Sequence, residues 1–251
     1  MPGKIDIHGV GIDNVTMDEA LDRVMDMLKE NKAHKVYTPN SEILMQAYRD
    51  DGLKQILNEA DLVVADGAGV VLASRILGRK VKEKVSGFDL VRRIFMNTDR
   101  RTTSFFIFGG KPGVSEQASI NILSEFPRAN ILGFRNGYFN ENDVQGIINQ
   151  INAAKAEILL VGLGAPKQEK WIHAHAHELN CKAIMGIGGA IDVFAGTASL
   201  APEFMRKAGL EWLYRLAKEP SRYKRMMDLP RFMLLTLKAK FMKDSDNDYS
   251  H

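Results

Sequence analysis

The chain has 251 residues, 45% of them hydrophobic and 26% charged, enough for one large core or two small domains and too apolar for a disordered polymer. No apolar run approaches the ~20 residues of a membrane-spanning helix, and the acid-bearing first thirty residues are unlike a signal peptide. The net charge of +3 is uneven: residues 206–243 hold eleven Lys/Arg against three Asp/Glu, so a basic tail sits on a mildly acidic body and points to an anionic partner.

Thr16 followed by Glu19 is a capping-box pattern, and Ala20, Leu21, Val24 and Leu28 then recur at helical spacing. Val36 to Thr38 reads as a strand stopped by Pro39, after which Asn40 or Ser41 caps a helix carrying Ile43, Leu44, Ala47 and Tyr48. The run Leu62 to Ala65 ends at Asp66-Gly67, the pattern of a buried strand that delivers a carboxylate into a loop. The same unit returns at Phe105 to Phe108 with Gly109-Gly110, at Ile158 to Val161 with Gly162-Leu163-Gly164, and at Ala183 to Ile187 with Gly188-Gly189. Each is strand, glycine loop, helix. The expected fold is therefore a doubly wound, Rossmann-like α/β core with a parallel sheet, spanning residues 1–201 and binding ligands at the carboxyl ends of its strands. From Pro202 to residue 243 the composition turns basic and aromatic, which predicts a helical, amphipathic, membrane-associating appendage. Residues 244–251, with Asp244, Asp246 and Asp248, are expected to be disordered. The single cysteine, Cys181, leaves no internal disulfide, in keeping with a cytoplasmic protein, which the basic tail would seat peripherally on the inner face of the membrane.

Glycine loops between strand and helix bring backbone N–H groups and the positive helix end up to phosphate oxygens, so a nucleotide diphosphate is a natural guest. Glycine also serves plain turns, and neither a Walker A loop nor a full Gly-x-Gly-x-x-Gly is present. A dinucleotide oxidoreductase and a non-catalytic membrane scaffold stay open as rival readings. Asp66 is the carboxylate that its strand-end loop holds within reach of a substrate, or else a simple helix cap; Thr38 and Asn40 add hydroxyl and amide groups at the next strand end. His173, His175 and His177 alternate on a predicted helix without a third ligand in pattern, so a solvated face is expected rather than a metal site. With no Asp-x-Asp pair in the core, a leaving diphosphate would be neutralised by dipoles and by Lys or Arg. The tail offers Arg215, Arg222 and Arg225 among Trp212, Tyr214 and Tyr223, then Phe232, Leu234, Leu237 and Phe241 among further cations. This suits an anionic membrane surface, or alternatively a helix packed on the core with a basic outer face. No nucleic-acid module is legible, so nucleic acid is not an expected partner.

Ordered stretches across nearly the whole chain carry a more specific signal: Thr-Pro-Asn at 38–40, Ala-Asp-Gly at 65–67, Val-Ser-Gly-Phe-Asp-Leu at 85–90, Phe-Gly-Gly at 108–110 and Asn-Gly-Tyr-Phe at 136–139. Gly-Leu-Gly-Ala-Pro-Lys-Gln-Glu at 162–169, Gly-Ile-Gly-Gly-Ala-Ile-Asp at 186–192 and Gly-Leu-Glu-Trp-Leu-Tyr-Arg-Leu at 209–216 follow. In these the sequence resembles the WecG/TagA/CpsF glycosyltransferases. The resemblance implies an inverting transferase without metal or other cofactor, moving a sugar, commonly N-acetylmannosamine and alternatively another hexose or a uronic acid, from a UDP donor to a polyprenyl-diphosphate-linked GlcNAc acceptor in surface-polymer synthesis. It implies Asp66 as general base, with Thr38, Asn40 and Gln168 lining the pocket. Gly109, Gly110, Gly137, Tyr138, Gly164, Gly189 and Asp192 become nucleotide candidates, and Lys84, Arg215, Arg222 and Arg225 diphosphate candidates. Where the family often has arginine before the Val-x-Gly segment this chain has Lys84, which keeps the charge and loses the bidentate fork. An exposed apolar tail would also let protomers pair off the membrane as a homo-oligomer.

Overall fold

The computed structural model describes residues 3–97, 103–220 and 223–248. A hairpin of β1 (Lys4–Ile7) and β2 (Val10–Asp13) opens the chain, followed by α1 (Met17–Met27), β3 (His34–Tyr37), α2 (Ser41–Arg49), α3 (Asp51–Asn58) and β4 (Leu62–Val63). Next come α4 (Ala68–Ile76), α5 (Gly87–Asn97), β5 (Ser104–Gly109), α6 (Val114–Glu125), β6 (Asn130–Arg135), α7 (Val144–Ala154) and β7 (Ile158–Gly162). Then α8 (Lys167–His175), β8 (Ala183–Gly186) and α9 (Ala190–Phe194) complete the part expected as core. The tail folds as α10 (Glu203–Lys207), α11 (Glu211–Lys218), α12 (Tyr223–Met226) and α13 (Asp228–Asp248).

Six strands form one parallel sheet in the order β4-β3-β8-β7-β5-β6. Successive residues of each strand point to opposite faces, and helices cover both. Thus Phe106, Phe108, Leu159, Val161 and Ile184 join one hydrophobic cluster, while Phe105, Ile107, Ile158, Leu160 and Met185 join the other. A sheet buried on both faces is what makes its strands continuous apolar runs in the sequence.

Local chemistry sets the helix starts. Thr16 and Glu19 form the expected capping box on α1, and Asn40, rather than Ser41, caps α2 by accepting from the Ile43 N–H at 3.1 Å. Tyr48, expected on the packed face of α2, is largely exposed at the end of that helix. The hairpin has no counterpart among the sequence-predicted elements. It is tied to the sheet edge by the buried Asp13 carboxylate, which accepts from the Val63 N–H at 2.8 Å and pairs with Arg23 at 2.7 Å.

The tail folds back on the core. Phe232 and Thr236 of α13 are fully buried; the His8 ring meets Phe232 edge-on at 5.3 Å, and His8 Nε2 lies 2.8 Å from Thr236 Oγ1. Arg49 of α2 pairs with Asp228 at 2.9 Å, and the Leu229 side chain lies so close to Gly69 that a Cβ there would sit 2.9 Å from it. Leu234, Leu237, Phe241 and Met242 stay exposed, so the apolar residues of α13 fall on a core-facing side and on an outward side. Clean segregation occurs instead on α11, where Trp212, Leu213 and Leu216 stand apart from Glu211, Arg215 and Lys218. After Pro230 no proline or glycine interrupts α13, and its backbone stays helical through Asp244 and Asp246 to Asp248, a stretch for which the sequence suggests disorder. Among the described residues no helix is long and apolar enough to cross a membrane.

Candidate active site

Asp66 stands three residues past the end of β4 and is held in place at both ends. Its backbone N–H donates to Pro39 O at 3.2 Å, and its Oδ2 accepts from the Gly87 N–H at 3.3 Å, at the start of α5. Burial pushes the carboxyl up to about 6. The Gly87 N–H and the positive charges of Arg215 and Lys84 pull it down, Glu211 pushes it further up, and burial outweighs them all. A carboxyl near 6 is a competent proton acceptor at neutral pH, mostly ionised yet more basic than a surface aspartate.

Thr38 and Asn40 leave β3 beside it. Thr38 Oγ1 donates to Gly186 O at 3.3 Å, fastening the end of β3 to that of β8. A Cβ at Gly87 would stand 2.7 Å from Thr38 Oγ1, so only glycine lets α5 start close enough for its N–H to reach Asp66. Asn40 spends its side-chain oxygen on the helix cap and keeps its amide nitrogen for the cavity that it lines. Gln168, at the start of α8, is buried and locked: its Oε1 accepts from the Gly188 N–H at 2.9 Å, and its Nε2 donates to Glu169 Oε1 at 2.9 Å. Burial raises the Glu169 carboxyl above the ordinary range, and its backbone carbonyl receives the Tyr37 hydroxyl at 3.3 Å.

These groups enclose a cavity of about 240 Å³ at the carboxyl ends of β3, β4, β7 and β8. Asp66, Thr38, Asn40, Gln168, Gly164 and Gly189 line it, and Arg215 and Arg225 reach it from the tail. Sequence position gives no hint that residues about 150 positions apart share this space. The tail also contributes Arg206 and Glu211, neither of them a candidate from the sequence, and Trp212, expected only as one of the tail's aromatics. The signal for Glu211 and Trp212 is the Gly-Leu-Glu-Trp stretch at 209–212, visible as a motif but without a role; Arg206 lies outside it. Lys84 lines a neighbouring groove instead and pairs with Glu211 at 3.2 Å. Arg222 lies outside the described residues.

Gly109, Gly110, Gly137, Tyr138 and Asp192 do not line the cavity. The glycines do a structural job at the ends of β5 and β6: Gly110 N–H donates to Gly162 O at 3.0 Å, and Gly137 N–H to Gly110 O at 2.8 Å. A Cβ at Gly109 would overlap the Gly162 carbonyl at 2.3 Å, and its φ of +145° already lies in the region that favours glycine. Tyr138 is 64% exposed beyond them. The backbone carbonyl of Asp192 accepts from Thr197 and Ala198 in the turn after α9. Together they extend the rim of strand ends away from Asp66 rather than forming its wall.

The three histidines diverge. His173 faces Glu59 at 3.5 Å and His175 bonds Glu178 at 2.9 Å. Among the described residues no three His, Cys, Asp or Glu side chains gather as metal ligands.

Comparison with known proteins shows the family. The family described as Glycosyl transferase WecG/TagA/CpsF matches residues 5–246. A Bacillus subtilis (strain 168) protein is 31% identical over 235 residues, covering 93% of this chain and 91% of that protein. One from Staphylococcus aureus (strain MRSA252) is 31% identical over 239 residues, covering 94% and 93%. Both are N-acetylglucosaminyldiphosphoundecaprenol N-acetyl-beta-D-mannosaminyltransferases, as is a Bacillus spizizenii relative, 31% identical over 211 residues that make up 84% of this chain and 81% of that protein.

Proposed function

The chain belongs to the WecG/TagA/CpsF glycosyltransferase family, and from that premise we propose that it transfers N-acetylmannosamine from UDP-N-acetylmannosamine to GlcNAc-diphospho-undecaprenol, as a step of cell-surface polymer synthesis. Family membership sets aside the oxidoreductase and scaffold readings. The observation that carries the mechanism is Asp66, a carboxyl raised to about 6 in a cavity that the basic tail roofs.

The acceptor hydroxyl oxygen attacks the anomeric carbon of the donor. The bond from that carbon to the diphosphate oxygen breaks, UDP leaves with the bonding electrons, and the hydroxyl proton passes to Asp66. One displacement inverts the anomeric centre. Thr38, the amide nitrogen of Asn40 and the locked Gln168 orient the sugars from the strand ends, which pre-organises the attack. Arg215 and Arg225 stand where charge gathers on the leaving diphosphate, with Arg222 as a further candidate. The rim from Gly189, beside Asp192, past Gly164 to Gly110 and Gly137 offers backbone along which the uridine diphosphate lies, with Tyr138 at its far end. The basic tail and the outward Leu234, Leu237 and Phe241 support a peripheral seat on an anionic membrane surface, where the lipid acceptor resides.

The test is UDP release from UDP-N-acetylmannosamine, with and without a lipid-linked GlcNAc-diphosphate acceptor, read for wild type and Asp66→Asn. Acceptor-dependent release that the variant loses is the expected result. Folded wild type that releases UDP with no member of a UDP-sugar panel would overturn the proposal.

A further inference from the structure

Beside the catalytic cavity lies a second and larger hollow of about 670 Å³, a size that takes a drug-sized ligand. Its floor is α4 and its walls are the α10–α11 corner and α13. Val71, Leu72, Trp212, Leu229 and Met233 make its lining largely apolar. Leu72 is 47% exposed and Trp212 39%, unusual for large apolar side chains unless something covers them. Four cations, Arg75, Lys84, Arg206 and Lys207, stand among them; Lys207 engages Glu203 at 2.7 Å, Lys84 engages Glu211 at 3.2 Å and Arg206 engages Asp89 at 3.5 Å, partners that an anionic ligand would share.

The two spaces share walls. Ala68, Gly69, Arg206, Gly209, Trp212 and Leu229 line both, so the groove begins where the catalytic cavity ends. A molecule that spans the junction therefore needs a polar, reacting end near Asp66, an anionic middle near Lys84 and Arg206, and an apolar remainder. The helices that wall the groove also expose Phe204, Leu213, Leu234 and Leu237 outward, so its flanks are suited to hydrocarbon.

Resting on the reading above, we propose that this groove holds the first isoprene units of the acceptor's polyprenyl chain. Lys84 and Arg206 meet the acceptor diphosphate at its inner end, and the rest of the chain continues into the bilayer. Val71, Leu72 and Met233 then select the lipid, while the Asp66 cavity selects the sugars. Small residues at Ala68, Gly69 and Gly209 bring the tail this close to α4: a Cβ at Gly209 would stand 2.7 Å from the Ala68 Cβ. The groove exists only because the tail is docked.

The experiment compares two acceptors in detergent, GlcNAc-diphosphate on a long polyprenyl chain and on a single isoprene unit, for wild type, Leu72→Trp and Met233→Trp. Wild type is expected to favour the long chain in kcat/KM, and the groove-filling variants to lose at least tenfold of that preference. In parallel, farnesyl diphosphate bearing a benzophenone is photolysed with the full-length protein, and labelled peptides are expected to contain residues 68–75 or 229–233. Variants that keep the wild-type chain preference, or label confined to peptides outside the groove, would overturn the proposal. Transfer to neither acceptor by folded wild type would instead sink the reading on which it rests, and the labelling still judges the groove.

Discussion

Asp66→Asn separates the two consequences of a partly buried, desolvated carboxyl. Raising it from 3.8 to about 6 disfavours the charged form by about 3 kcal/mol. The folded state thus holds the Asp66 proton more tightly than the unfolded chain does. Wild type consequently loses stability as pH rises from about 4 to about 6, and the whole loss is in force at pH 7 and above. Asparagine has no charge to desolvate, and its side-chain oxygen still accepts from the Gly87 N–H. The variant should therefore melt higher than wild type at pH 7.5, by up to about 6–12 °C if 1 kcal/mol moves a chain of this size by about 2–4 °C. The gap should close towards pH 4.5. Turnover should fall by about 10²–10⁴, the usual worth of a general base. Wild-type kcat/KM should decline with falling pH through about 6, because protonation removes the base. Paired melting curves at pH 4.5 and 7.5, with UDP release on the same samples, measure all of this. An equal melting gap at both pH values would refute the argument that burial strains the Asp66 charge.

Three further outcomes follow from the same geometry. Glu211→Gln removes a negative charge that raises Asp66, so the acid limb of the kcat/KM profile should move to lower pH; an unmoved limb would remove Glu211 from the site's electrostatics. Gly87→Ala places a methyl group against Thr38 and should cost about 1–3 kcal/mol by overpacking, with at least a tenfold loss of kcat/KM; denaturant melts and UDP release at a single pH check both. Binding to anionic vesicles should weaken at least tenfold between 0.1 M and 1 M salt as the Debye length falls from about 10 Å to about 3 Å. Binding indifferent to salt in a co-sedimentation assay would leave the apolar residues as the sole anchor.

Much of the core was legible because its signals are local. A sheet buried on both faces writes each strand as an unbroken apolar run, and Thr16, Glu19 and Asn40 announce their helices through caps spanning three residues. The β1–β2 hairpin left no such mark, since it is anchored by Asp13 reaching Val63, fifty positions away. Asp66, Thr38, Asn40 and Gln168 could be named as candidates from strand ends and matching stretches. Their chemistry could not, because a pKa near 6 depends on burial and on the balance of Arg215, Lys84 and Glu211 around one carboxyl.

The tail marks the boundary between the two kinds of information. Its composition gave a net charge, aromatic residues and helical spacing, and from these an anionic partner. Where its helices lie was decided by contacts with no sequence period: Leu229 against Gly69, Asp228 with Arg49, and Phe232 beneath His8. A parallel α/β sheet with a carboxylate at a strand end and a cationic tail can be read along the chain, because periodicity and charge are properties of neighbours in it. That the tail closes over that carboxylate and opens a groove beside it emerges on folding, because desolvation and shape are set by residues that meet in space.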